Sequence, residues 1–322
     1  MCPKILVIRG GAIGDFVLTL PAIKLLRDNF PAVHLEILGY PHIVSLAAGR
    51  YYADAIRSIE YSAMAGFFVP NSELAPDLAE YFSSFQQVIS YLYDPDGFFE
   101  ANLRRAGVKN LLCAHPLVGP GSHAARQLAQ PLEQLALFLE EPVAEIFPSE
   151  TDRQFAAEFL GPINRPVVAI HPGSGSARKN WPIERWQELA GKLLGQKPQP
   201  LLLLVGGEAD EGPVRKLKAH LAGEHPDSAG SLRLALNLPL PHLAALLQRA
   251  SLFLGHDSGV SHIAAAVKTP SILLFGPTDP EVWAPQGAHV RVVAASNGDL
   301  STIATKDLEA GIANTCGAGW IF

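Results

Sequence analysis

Two regions of the chain hold side chains that could act on a charged, hydroxyl-rich ligand. The first is Arg9-Gly10-Gly11-Ala12-Ile13-Gly14-Asp15. Three glycines in five residues allow a tight turn and let a second molecule approach the backbone. Asp15 then falls at the start of a periodic segment, where helix N-caps are favoured. A carboxylate there either caps its helix or takes a proton from a bound hydroxyl, and the positive helix end keeps it ionised in both cases.

The second region is spread over the latter half. In His171-Pro172-Gly173-Ser174-Gly175-Ser176-Ala177-Arg178-Lys179-Asn180-Trp181-Pro182, small residues that expose backbone N–H groups run into two cations. Such a loop after a strand suits a phosphate. It lacks the Walker spacing and has Arg178 where the third glycine of G-x-G-x-x-G would fall. A second strand end, Gly255-His256-Asp257-Ser258-Gly259-Val260-Ser261-His262, opens a helix on which Ser258 and His262 share one face. Asp257, Ser258 and the free N–H groups of the first turn suit a diphosphate and sugar hydroxyls. The plain alternatives are a solvated basic loop, a helix cap and a satisfied histidine. Gly206-Gly207-Glu208 adds an acid at a strand end, a common ribose contact. Phe275-Gly276-Pro277-Thr278 reads as a turn closing the pocket. Asp94-Pro95-Asp96-Gly97 could hold a metal, but turn chemistry is the better account.

The elements that must position these residues alternate in both halves. Candidate strands cover 4–8, 34–38, 55–59, 86–91 and 110–114, then 167–170, 200–205, 232–236, 252–255, 271–275 and 289–293. Helices fit 15–28, 98–106, 122–139, 151–160, 183–194, 212–222, 240–249 and 259–267, with Pro21 kinking the first. This alternation predicts parallel sheets covered on both faces. The stretch around Gly161-Pro162-Ile163-Asn164-Arg165-Pro166 reads as a linker, giving domains 1–162 and 163–322.

Composition narrows the class. Hydrophobic content of 48% with 17% charged residues is that of a globular protein. A net charge of −6 argues against an unspecific nucleic-acid binder, which needs a basic face. Cys2, Cys113 and Cys316 show neither metal spacing nor a disulfide framework, as suits a reducing cytosol. Cys113, inside an apolar run, predicts a buried thiol. No signal peptide opens the chain, and no uncharged apolar run approaches the ~18 residues that span a bilayer. The expectation is a soluble, cytoplasmic chain that could still work at the inner face of the membrane. The tail Trp320-Ile321-Phe322 is apolar, and Cys316 lies too far from the end for a prenylation box.

Taken in order, Gly10-Gly11-Ala12-Ile13-Gly14-Asp15 with Thr19-Leu20-Pro21-Ala22, His171-Pro172-Gly173-Ser174, Lys179-Asn180-Trp181-Pro182, Gly206-Gly207-Glu208, Asp257-Ser258-Gly259-Val260-Ser261-His262 and Phe275-Gly276-Pro277-Thr278 resemble the glycosyltransferase family 9 heptosyltransferases. The resemblance runs from about residue 4 to about residue 293. It implies an α/β protein of GT-B fold, two Rossmann-like domains with parallel sheets facing across a cleft. The first would meet a lipid-linked or core oligosaccharide acceptor of lipopolysaccharide type, and the second an ADP-heptose donor. Transfer would be inverting, metal-independent and free of cofactors. Asp15 would be the general base, and Lys179 would hold the donor phosphates. Ser174, Asp257, Ser258, Gly259 and His262 fall on donor-binding positions. Glu208 falls on a ribose contact, and Leu238 lies near the adenine position.

The acceptor side departs from the family pattern. No Lys or Arg occurs between Arg57 and Arg104, and Met64-Ala65-Gly66-Phe67-Phe68-Val69 is apolar, which reads as packing ahead of lipid contact. Gly14, His123 and Arg126 are the acceptor candidates. The rival readings are a sugar-nucleotide epimerase, a nucleotide-sugar-binding protein of the same fold, and an NAD-dependent oxidoreductase. The missing G-x-G-x-x-G counts against the last.

Overall fold

The computed structural model describes residues 3–114 and 117–316, so Cys2 and the tail Trp320-Ile321-Phe322 lie outside it. The chain divides into two compact units, Met1–Pro142 and Val143–Phe322.

The first unit runs β1 (Lys4–Arg9), α1 (Ile13–Asn29), β2 (His34–Gly39), α2 (Pro41–Val44), β3 (Ala55–Ser58), α3 (Pro76–Ser83), β4 (Gln87–Ser90), α4 (Phe98–Arg105), β5 (Leu111–Cys113) and α5 (Ala124–Ala129). Its five strands are all parallel, in the order β3-β2-β1-β4-β5. Ile5-Leu6-Val7-Ile8 is buried throughout, as a central strand covered on both faces must be.

The second unit runs α6 (Glu150–Leu160), β6 (Val167–Ile170), α7 (Ile183–Leu194), β7 (Leu201–Gly206), α8 (Glu211–Glu224), β8 (Leu232–Leu236), α9 (Leu240–Gln248), β9 (Leu252–His256), α10 (Gly259–Ala266), β10 (Ser271–Phe275), α11 (Pro280–Trp283), β11 (Val290–Ala294) and α12 (Thr305–Cys316). Six parallel strands lie in the order β11-β10-β9-β6-β7-β8. Both sheets have the Rossmann-like order, and the fold class is α/β of the GT-B type. In each sheet the strand order reverses beside the unit's first strand, between β1 and β4 and between β6 and β9. Loops leaving such a pair diverge and open a crevice at the carboxyl ends, where ligands of open α/β sheets bind.

Four expectations change. The boundary falls before α6 rather than after it, because α6 packs on α9 of the second unit and stacks Phe155 on His242 at 4.0 Å. The helix expected over 122–139 stops at Ala129 and continues as a 3-10 turn, Gln130–Leu135, since Pro131 has no N–H to carry the α-helix on. Cys113 is exposed rather than buried. It is the last residue of edge strand β5. Loss of solvation and the facing Glu100 push its thiol up to about 12. Finally, α1 starts two residues earlier than expected, which moves Asp15 off the cap position. Pro21 sits inside α1 without ending it.

Met64 and Phe67 are buried while Phe68 and Val69 are exposed, so the apolar stretch packs with only part of its surface. Asp94 accepts the N–H groups of Phe99 (3.2 Å) and Glu100 (2.9 Å), the work of a turn that starts α4. Among the described residues no helix is long and apolar enough to cross a membrane.

Candidate functional site

Each crevice is furnished by the two strands that flank it. In the first unit, Arg9 ends β1 and is buried. Its guanidinium donates to Thr19 Oγ1 (3.0 Å), to the Tyr91 carbonyl beyond β4 (3.3 Å) and to the Asp15 carbonyl (3.2 Å). The Asp15 carboxylate lies 3.7 Å away and stays 37% exposed. Burial draws the Arg9 pKa down, and the charge of Asp15 works against that shift.

Asp15 is the third residue of α1, and its carboxylate turns back to accept the Ala12 N–H at 2.8 Å. Gly11 makes this possible. Its φ is +91°, and a Cβ there would lie 2.8 Å from Asp15 Oδ2. Gly14 sits half-buried in the same first turn. His123 is the N-cap of α5 and its Nδ1 accepts the Ala125 N–H at 3.3 Å. Arg126 donates to the carbonyls of Leu139 (3.2 Å) and Glu140 (2.9 Å). His123 and Arg126 therefore both carry local structural bonds, at the start of a helix that packs against α1.

In the second unit the loops after β6 and β9 meet. His171 follows β6 and is 1% exposed. Its Nε2 lies 2.9 Å from Asp210 Oδ2, and its Nδ1 lies 3.2 Å from Ser258 Oγ. Burial alone would raise the Asp210 carboxyl, but the hydrogen bond to His171 holds it below its ordinary value. Gly173 must be glycine because a Cβ would sit 2.4 Å from Asp210 Oδ1.

Ser258 is the N-cap of α10, where its Oγ accepts the Ser261 N–H at 3.4 Å. The remaining N–H groups of that first turn have no partner within the helix. Lys179 Nζ lies 2.6 Å from Asp257 Oδ2, and Thr278 Oγ1 donates to the same oxygen at 2.7 Å. Ser174 Oγ lies 2.7 Å from Asn180 Oδ1 and 2.8 Å from the Ser176 carbonyl, folding the loop on itself. His262 is buried one turn along α10. Glu208 and Leu238 follow the neighbouring strands β7 and β8; Glu208 is exposed and Leu238 half-buried.

His256 ends β9 and ties the loop down. Its Nε2 accepts the Trp181 N–H at 2.8 Å and its Nδ1 faces the Gly173 carbonyl at 3.2 Å. These partners need a neutral ring protonated on Nδ1. Burial agrees, drawing its pKa down to about 3.

The structure thus brings His171, Lys179, Asp257 and Ser258 to one mouth. Five contributors had no assigned role in the sequence: Arg9, His171, Asp210, His256 and Thr278. Asp210 lies two residues past Glu208, and its only sequence signal is that short acidic spacing.

The model of "Glycosyltransferase family 9 (heptosyltransferase)" matches residues 120–312, more than half of the chain. The chain belongs to glycosyltransferase family 9. This family 9 glycosyltransferase is 26% identical over 315 residues to lipopolysaccharide heptosyltransferase 3 of Escherichia coli K12, covering 88% of this chain and 86% of that one. It is 30% identical over 172 residues to lipopolysaccharide heptosyltransferase 2 of the same organism, covering 53% and 47%. Among solved structures, E. coli ADP-heptose lipopolysaccharide heptosyltransferase II has a TM-score of 0.77 at 16% identity, covering 97% and 98% of the two chains. An E. coli heptosyltransferase solved with ADP-2-deoxy-2-fluoro heptose has a TM-score of 0.68 at 18% identity, covering 97% and 99%. The matched residues take in the whole second-unit site and leave out Asp15.

Proposed function

We propose that this glycosyltransferase moves a heptose from ADP-heptose to a lipopolysaccharide core sugar or related glycan, with inversion at the transferred carbon. The observation that carries the reading is the second-unit mouth. There Lys179 is held beside Asp257 at 2.6 Å and the capped start of α10 lies at a topological switch point. An ammonium and a helix N-terminus together match a diphosphate that gains charge as it leaves. Ser174, Asp257, Ser258, Gly259 and His262 complete the donor site in this reading, with Glu208 toward the ribose and Leu238 toward the adenine.

Asp15 supplies the base. Its carboxylate is exposed enough to meet a hydroxyl and rests on a buried cation. The acceptor oxygen forms its bond to the anomeric carbon as the bond to ADP breaks on the opposite face. The hydroxyl proton passes to Asp15, and the electron pair leaves with the diphosphate. Gly14 lies beside that carboxylate, and His123 and Arg126 are the further acceptor candidates. No metal enters this scheme. The work belongs in the cytoplasm, with contact at the inner membrane face where a lipid-linked acceptor would be met.

The test is transfer itself. Purified chain, ADP-heptose and heptose-deficient core oligosaccharide should yield ADP and a product heavier by one heptose. The new linkage should have the anomeric configuration opposite to that of the donor. Hydrolysis without transfer, or retention, would sink the reading.

A further inference from the structure

We propose that the second-unit site takes up a proton as it takes up the donor diphosphate, and that the proton resides on His171. The proposal rests on the donor reading above and adds a positioning role for His171 and Asp210. Hydrogen positions follow from the partners. Asp210 is an acceptor held ionised, so the hydrogen it shares with His171 belongs to Nε2. A neutral ring then has a bare Nδ1, and Ser258 Oγ lies 3.2 Å from it. In that state the Ser258 hydroxyl hydrogen points back into the protein. The Ser261 hydroxyl donates to the His256 carbonyl, so its oxygen, 3.2 Å from Ser258 Oγ, is a second inward acceptor for that hydrogen and does not turn it toward the ligand. Ser258 then offers an arriving phosphate oxygen only lone pairs, which repel it.

A proton on Nδ1 reverses the bond. The imidazolium donates to Ser258 Oγ, and the hydroxyl hydrogen is released toward the anion. The charges around the pair favour this reversal when an anion arrives. Asp210 faces His171 from the turn after β7. Asp257, on the loop after β9, faces Lys179 from the loop after β6. His256, on β9, is held neutral by burial and by its two backbone partners. With a neutral His171, two carboxylates stand against one ammonium, a poor setting for a diphosphate. With an imidazolium the group is balanced before the ligand enters, and the α10 N-terminus adds its partial charge.

The measurement is calorimetric titration of the full chain with ADP, slightly above neutral pH, in buffers of different ionisation enthalpy. The wild type should bind ADP with about one proton taken up per site. In Asp210→Asn the amide can donate to Nε2, so a neutral ring carries its hydrogen on Nδ1. ADP should still bind, and most of the uptake should vanish. Ser258→Ala leaves the buried pair in place and removes the hydroxyl that links it to the ligand; uptake should fall there too. A merely structural pair would change affinity and leave the proton count alone. ADP binding to the wild type without buffer dependence, or uptake unchanged in both variants, overturns the proposal while the donor reading stands. No ADP binding to the wild type removes the donor reading and this proposal with it.

Discussion

The two units place a carboxylate near the same point of the same sheet order, with opposite electrostatic settings. In the first, Asp15 is partly exposed above a buried Arg9 that spends its other hydrogen bonds on Thr19 and Tyr91. In the second, Asp210 and Asp257 are turned inward, each against its own partner, His171 or Lys179. A carboxylate meant to collect a proton has to keep an open face. A carboxylate meant to aim a cation or an imidazole has to be closed. In the proposed scheme the contrast separates chemistry from binding, and perturbing each side tests it.

The largest effect is expected at Asp15. Asp15→Asn should lower transfer by ~100-fold or more while ADP affinity stays within about twofold, since a general base is worth that much and touches no phosphate. Turnover assays with calorimetry would show the split, and unchanged turnover would remove Asp15 from its role. Lys179→Ala should do the reverse. Losing a charge-assisted bond of ~1.5–3 kcal/mol should weaken ADP binding roughly 10- to 100-fold.

Next comes Arg9→Met, which strands the buried acceptors at Tyr91 and Thr19 and should cost about 2 kcal/mol of first-unit stability. All four tryptophans follow Asn180. Hydrogen exchange along β1 is therefore the appropriate readout for the first unit, and tryptophan fluorescence for the second.

Acid should act on the second unit. His256 accepts a proton near pH 6.5 when unfolded and near 3 when folded. Between those values the unfolded chain holds more protons, so stability rises with pH through the window and is fully present above 6.5. Fluorescence-monitored denaturation should weaken on acidification in the wild type, and less steeply in His256→Gln. The smallest expected effect is none: EDTA should leave turnover unchanged, because in the proposed scheme Lys179 and the α10 N-terminus meet the diphosphate charge. Loss of turnover that Mg²⁺ restores would replace that account.

The strands were legible because a parallel sheet covered on both faces needs unbroken apolar runs, such as Ile5-Leu6-Val7-Ile8 and Leu201-Leu202-Leu203-Leu204. Glycines marked the strand ends for the same physical reason that Gly11 and Gly173 show in space: a carboxylate occupies the volume of the missing side chain. Register and partnership were not legible. Nothing in the sequence separates exposed Glu208 from buried Asp210, two positions apart on one turn. Arg9 read as the edge of a loop, because the acceptors that justify its burial come from β4 and α1. The linker was misplaced because α6 looks self-contained until α9 is seen beneath it.

The switch-point contacts also set a timetable for folding. His171 and Ser258 are 87 positions apart, and Arg9 reaches the Tyr91 carbonyl across 82. Contacts between such distant positions form late, after the loop entropy between them has been overcome. A chain emerging from the ribosome therefore completes β6, β7 and β8 before β9 arrives to finish the mouth. Until then the apolar edge of β6 that β9 will cover, Val167–Ile170, waits unpaired and open to aggregation. Slow synthesis between β8 and β9 should prolong that exposure, and recovery of soluble protein should be most sensitive to translation rate across that interval.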